Sequence, residues 1–233
     1  MISNGFDARF QEFTVAESVV PGIFAEQSGF SVTRLDKRVY QNPDFFVVHK
    51  QSLADFAVEV KVSTTPVFFE TKSRQIQARH GVRIAPLDLL LLDAKHVTHY
   101  RDFTSKTGVP VYLLYVSTWQ PGLVFFDRLD GMALYSADST AGAPSIRGTQ
   151  TEKLYASASQ MRPLKAGLAA LSAETGCPDL SAHAADTIHA VAALDCVCQI
   201  TYPASLAGAA ERVKELVTAQ TFYQPSRWRA SAG

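Results

Sequence analysis

A chain of 233 residues, 47% hydrophobic and 19% charged, has the composition of a folded protein with one good core, which excludes a disordered or fibrous chain. Its 22 basic and 22 acidic residues cancel, which counts mildly against coating a polyanion by bulk charge and leaves open a site that grips a few phosphates locally. No apolar run reaches the length of a membrane span: residues 87 to 92 are interrupted by Asp88 and followed by Asp93 and Lys95.

The first residues, MISNGFDARFQE, carry acid where a signal peptide would be basic and then apolar. The three cysteines, Cys177, Cys196 and Cys198, are odd in number and clustered late. Both features lead us to expect a reducing, cytoplasmic setting and no disulfide framework. Residues 8 to 27 read as helix, with an apolar stripe at Phe10, Phe13, Val20 and Phe24, a kink or break at Pro21, and Glu17 within it. Gly29 ends it, and residues 30 to 35 form a first strand. A polar turn, residues 36 to 42, leads to Pro43.

The central stretch follows as PDFFVVHK, QSLA and DFAVEVKV, two apolar runs joined by a short polar connection, the pattern of a hairpin. In a strand, residues two apart share a face. Glu59 and Lys61 therefore point with Ala57 one way, and Phe56, Val58, Val60 and Val62 point the other way into a core. Carboxylates and an ammonium beside a core sheet are costly to bury and need a reason.

Beyond this, residues 63 to 66 break the pattern and residues 67 to 70 are expected as a short fourth strand. Residues 73 to 80 suggest one or two helical turns closed by Gly81, and residues 87 to 93 a helical or partly extended run. A helix over residues 96 to 106 ends at Gly108, and residues 109 to 116, VPVYLLYV, are a buried strand. Residues 123 to 129 form another strand, with residues 132 to 135 expected to pair with it across Asp130-Gly131. Residues 136 to 151 read as loop and residues 153 to 159 as a last strand. The alanine-rich final third is read as mostly helical, including residues 184 to 200 and 205 to 219. There is no internal repeat.

The signature Pro43-Asp44, fourteen residues, then Glu59-Val60-Lys61 resembles that of the PD-(D/E)XK nuclease superfamily, also called restriction-endonuclease-like. The resemblance covers about residues 10 to 130 and extends to the order α-β-β-β-α-β of the surrounding elements. It implies an α/β fold, a mixed central sheet flanked by helices, with a helical C-terminal extension. Residues 1–150 would form the nuclease-like core, and residues 151–233 a last strand and helical extension packed on it in the same domain.

The resemblance further implies a metal-dependent nuclease that hydrolyses phosphodiester bonds, in DNA for most such proteins, with endonucleases of restriction, phage defence or repair among its members. Mg2+, for which Mn2+ can substitute, suits hard oxygen ligands. Asp44, Glu59 and the Val60 carbonyl would supply them. Bound there, it offsets the phosphate charge and makes a water more acidic. Lys61 would orient that water or stabilise charge on the phosphate. A further metal-holding acid is expected on the first helix, with Glu17 ahead of Glu12 and Glu26. The RecB-like branch carries Gln-x-x-x-Tyr on the helix after the site strands; here His96 and Tyr100 stand at that spacing, histidine replacing glutamine, and either can hydrogen-bond a phosphate or the water. Many members form homodimers.

Plainer readings exist for each feature. Asp44, Glu59 and Lys61 can be a strand-end ion pair, and His96 with Tyr100 a packing pair. Glu70-Thr71-Lys72 is a rival Glu-x-Lys, with Lys72 a candidate substrate contact even if the rival fails. Lys72 to Lys106 carries seven Lys or Arg against three Asp, and a solvated helix face explains Arg74, Arg79 and Arg83 most simply. Cys177, His183, His189, Cys196 and Cys198 match no usual zinc spacing. The alternative function is a module that keeps the fold and binds nucleic acid or protein without cutting.

Overall fold

The structure, a computed structural model, describes residues 20, 22–24, 29–35, 42–63, 70–117, 124–137 and 152–187. Glu17, residues 67–69 and residues 188–233 lie outside these, and with them the first-helix acid and most of the expected C-terminal helices.

Three strands form an antiparallel meander: β1 (Phe30–Arg34), β2 (Phe45–His49) and β3 (Asp55–Ser63). The expected hairpin is present, its turn closed by Leu53 N–H donating to the His49 carbonyl at 2.9 Å. The chain then leaves the sheet. Helix α1 (Glu70–His80) and a 3-10 turn (Pro86–Asp88) lead to β4 (Leu89–Asp93), which runs directly into helix α2 (Ala94–Thr107). Gly108, at φ 75°, ends α2 in the left-handed conformation that glycine adopts without strain, its N–H bonding the Thr104 carbonyl. β5 (Val111–Ser117) then returns parallel to β3, as a crossover helix permits. β6 (Val124–Arg128) pairs antiparallel with β5, giving a five-stranded sheet in the order β1-β2-β3-β5-β6.

The result is a mixed sheet between helices, the α/β class that the sequence leads us to expect. One face packs Phe45, Val47, Phe56, Val58, Tyr112 and Leu114 against Ile23 and Phe24 of an N-terminal helical turn and against Leu168 and Leu171 of α3 (Leu164–Thr175). The other packs Ala57, Val111 and Leu113 under Val97 and Tyr100 of α2. The inward set Phe56, Val58, Val60 is the one that alternation assigns.

Several elements differ from expectation. Glu70 opens a helix and does not end a strand: an acid at the first turn, basic Arg79 and His80 at the last, and an Arg74–Glu70 pair one turn apart all favour α1. Residues 132–135 do not fold back on β6. Arg128 holds Asp130 at 2.8 Å, and Met132 N–H bonds the Leu129 carbonyl, so a 3-10 turn at Leu129–Gly131 carries the chain away. Tyr135–Ser136 (β7) instead pairs with β8 (Lys153–Ser157), and β8 pairs with β4. The resulting three-stranded sheet, order β4-β8-β7, was not expected. Leu90, Leu92 and Ala156 join its inner side to the α2 face of the main sheet, and Ile76 of α1 covers Leu89 and Tyr155 on its outer side. Among the described residues no helix is long and apolar enough to cross a membrane.

Candidate active site

The β2–β3 register pairs Phe45 with Val58, and one further step sets Asp44 opposite Glu59. Opposed residues of an antiparallel pair share a face. Asp44, Glu59 and Lys61 therefore lie on the α2 side of the sheet. Both carboxylates are buried, Asp44 at 1% and Glu59 at 2% exposure, although such groups are almost never buried unless something holds them.

Each is held. Asp44 Oδ2 accepts the Val60 main-chain N–H at 2.8 Å, replacing a ladder bond where β2 has not yet begun. The N–H and C=O of one strand residue project to the same edge, so the Val60 carbonyl is directed towards Asp44 as well. Glu59 Oε1 lies 2.8 Å from Lys61 Nζ, and the Lys61 side chain, 29% exposed, carries the pair towards solvent. From above, the Tyr100 hydroxyl donates to the Glu59 carboxylate; burial first, and then the charges of Glu59, Asp44 and Asp93, push its pKa well above the ordinary tyrosine range. Tyr100 thus stays a donor at any working pH.

A pocket opens over Glu59 and Lys61, lined also by Asp93, His96 and Tyr100 on a floor that includes Leu113; Asp44 does not line it. His96 and Tyr100, one turn apart on α2, both face it, their ring centres 6.2 Å apart. Lys72 is half-buried on α1 and does not line the pocket. Glu70, paired with Arg74 on the same helix, is not brought to it either.

Sequence reasoning passed over Asp93. It reads there only as the polar end of a leucine run, although an Asp between an apolar strand and a helix is a visible signal. Lys153, which reaches it from β8, gave no signal at all.

The donor chemistry suits a hard divalent cation: the Asp44 and Glu59 carboxylates stand on one face of adjacent chain segments, with the Val60 main chain beside Asp44, and all the donors are oxygen. Among the described residues no three His, Cys, Asp or Glu side chains group as a metal site. Such an ion would take its remaining ligands from solvent and substrate, as Mg2+ commonly does.

No family model matches the chain, and no curated protein matches it. Among solved structures it is similar to a Holliday junction resolvase, Hjc, of the archaeal hyperthermophile Archaeoglobus fulgidus. Identity is 14%, over 59% of this chain and 81% of that one, with a TM-score of 0.35. A likeness of that extent carries no statement about chemistry.

Proposed function

We propose that this nuclease-like fold is an active, metal-dependent nuclease that hydrolyses phosphodiester bonds in DNA. The observation that supports it is the burial of Asp44 and Glu59 side by side, with Lys61 paired to Glu59 at the mouth of a pocket. A structural ion pair alone would not account for a second buried carboxylate. Asp44, Glu59 and the Val60 carbonyl would hold Mg2+, or Mn2+ in its place, with Glu17 a further candidate. Bound there, the ion supplies Lewis acidity to the phosphate and makes water a better nucleophile at neutral pH.

The chain's own residues do the rest. Lys61 donates to the attacking water or to a phosphate oxygen as negative charge grows there. Tyr100 fixes the Glu59 carboxylate so that its geometry is set before substrate arrives. His96 lies on the pocket wall within reach of the scissile phosphate or the water, and Lys72 approaches a flanking phosphate from outside the pocket. Attack is in line, with inversion at phosphorus.

The test is cleavage of supercoiled plasmid, linear duplex, single-stranded DNA and RNA with Mg2+ or Mn2+. Asp44→Asn, Glu59→Gln and Lys61→Met should each slow cleavage by about a hundredfold or more. Rates equal to wild type in all three would remove the site assignment. No cleavage by the wild type with either metal would leave a non-catalytic binding module as the better reading.

A further inference from the structure

β4 ends at Asp93 and α2 begins at the next residue, so Asp93 stands where it should cap the helix. An Asp in that position normally turns its carboxylate onto the unbonded N–H groups of the first turn. Asp93 makes no such bond. One of its oxygens pairs instead with Lys153 Nζ, from the residue directly across the β4–β8 ladder. The other lies 3.8 Å from His96 Nδ1. A half-exposed pair such as Asp93–Lys153 adds little stability of its own, so a preference for it over the cap has to be explained by what it holds in place. Asp93 and His96 both line the pocket over Glu59 and Lys61.

We infer that Asp93 is a positioning residue that sets the orientation and tautomer of His96, with Lys153 steadying the carboxylate; its catalytic meaning rests on the nuclease reading above. At 3.8 Å the Asp93 carboxylate is too distant from Nδ1 for a hydrogen bond, but its charge favours the proton on that nearer nitrogen and leaves Nε2 as the acceptor. His96 therefore meets the pocket as an acceptor that orients the attacking water. An amide at residue 93 would remove that charge and with it the preference for Nδ1.

Two measurements test this on the full chain. Long-range 1H–15N NMR spectra of the imidazoles, with His96→Gln identifying the signal, should show the Nδ1–H tautomer in wild type and a shift towards Nε2–H in Asp93→Asn. Lys153→Met should give an intermediate, averaged signal. An unchanged His96 signal in Asp93→Asn, or an Nε2–H tautomer in wild type, overturns the inference whether or not the protein cleaves anything. In the cleavage assay, Asp93→Asn should lower kcat about tenfold to a hundredfold with KM within about twofold. The double variant Asp93→Asn/His96→Gln should be no slower than His96→Gln alone. Multiplying losses would show that Asp93 acts elsewhere. If the tautomer responds as expected while wild type cuts no nucleic acid, the nuclease reading falls and the positioning of His96 by Asp93 stands.

Discussion

Tyr100 shows how much of the site depends on single atoms. Its ring packs in the core beside Val97 and Leu113, while its hydroxyl holds the Glu59 carboxylate. Tyr100→Phe keeps the ring and removes the donor. A hydrogen bond to a buried charge is worth about 1.5–3 kcal/mol, and urea denaturation should show a loss of that order. The same variant should cut more slowly than wild type, because Glu59 loses a fixed orientation. Unaltered stability and activity together would mean that the hydroxyl does not hold Glu59. Asp44, Glu59, Lys61, His96 and Tyr100 could all be singled out in the sequence, because charge interrupts apolar strands and because a helix places residues four apart on one face. Asp93 carried a signal in its place between an apolar strand and a helix, but its pairing with Lys153 did not, since strands distant in sequence bring the two together.

At the level of elements, helix α3 lies against β6 with almost no space to spare. Gly167 permits this: a Cβ built there would stand 2.0 Å from the Phe126 carbonyl oxygen, well inside any real contact. Phe126 N–H also bonds the Arg162 carbonyl, so the backbone at the start of the helix is tied to the strand and cannot easily yield. Gly167→Ala should cost about 1–3 kcal/mol or more through overpacking, against the small gain in helix propensity that alanine brings at an open site. A denaturant midpoint at or above wild type would contradict the close approach. Local signals were reliable where one element decides its own fate. The hairpin, the β5 strand and the Gly108 helix end are such cases, each set by its own alternation, apolar run or left-handed glycine. They misled at Glu70 and at residues 132–135. A short apolar run does not say whether it will pair, and Asp130-Gly131 makes a hairpin only if the strands on both sides stay together.

On the scale of the whole molecule, an ionic network joins α3, β5 and β6 on the face away from the pocket. Glu174 accepts from the Tyr112 hydroxyl at 2.7 Å and from Arg162 Nη1 at 2.9 Å, with Arg128 Nη1 at 4.0 Å. Burial opposes its ionisation, but the bonds from Tyr112 and Arg162 and the nearby guanidinium charges outweigh it and hold its carboxyl below the ordinary 4.5. The unfolded chain therefore takes up this proton near pH 4.5 and the folded chain only at lower pH. Between the two the unfolded state holds more protons, so the stabilisation is complete above that range and is lost as pH falls through it. The stability gap between wild type and Glu174→Gln should stay constant from neutral pH down to about 5 and then shrink towards pH 3. A gap that does not change with pH would show that the carboxylate's charge contributes nothing.

The β2–β3 hairpin, β1, β5, β6, the crossover helix and the shared face of Glu59 and Lys61 were determined by sequence alone, because alternation, helical spacing and buried charge are local properties of the chain. The resemblance added the expectation of a mixed central sheet, and the strand order β1-β2-β3-β5-β6 came from the tertiary structure. Tertiary structure alone decided that β4, β7 and β8 form a second sheet and that Asp93 meets Lys153 and His96. It also decided that Tyr100 rather than Lys72 reaches Glu59. Contacts between strands separated by some sixty residues depend on which apolar faces find one another in space, and no periodicity within a single segment records that choice.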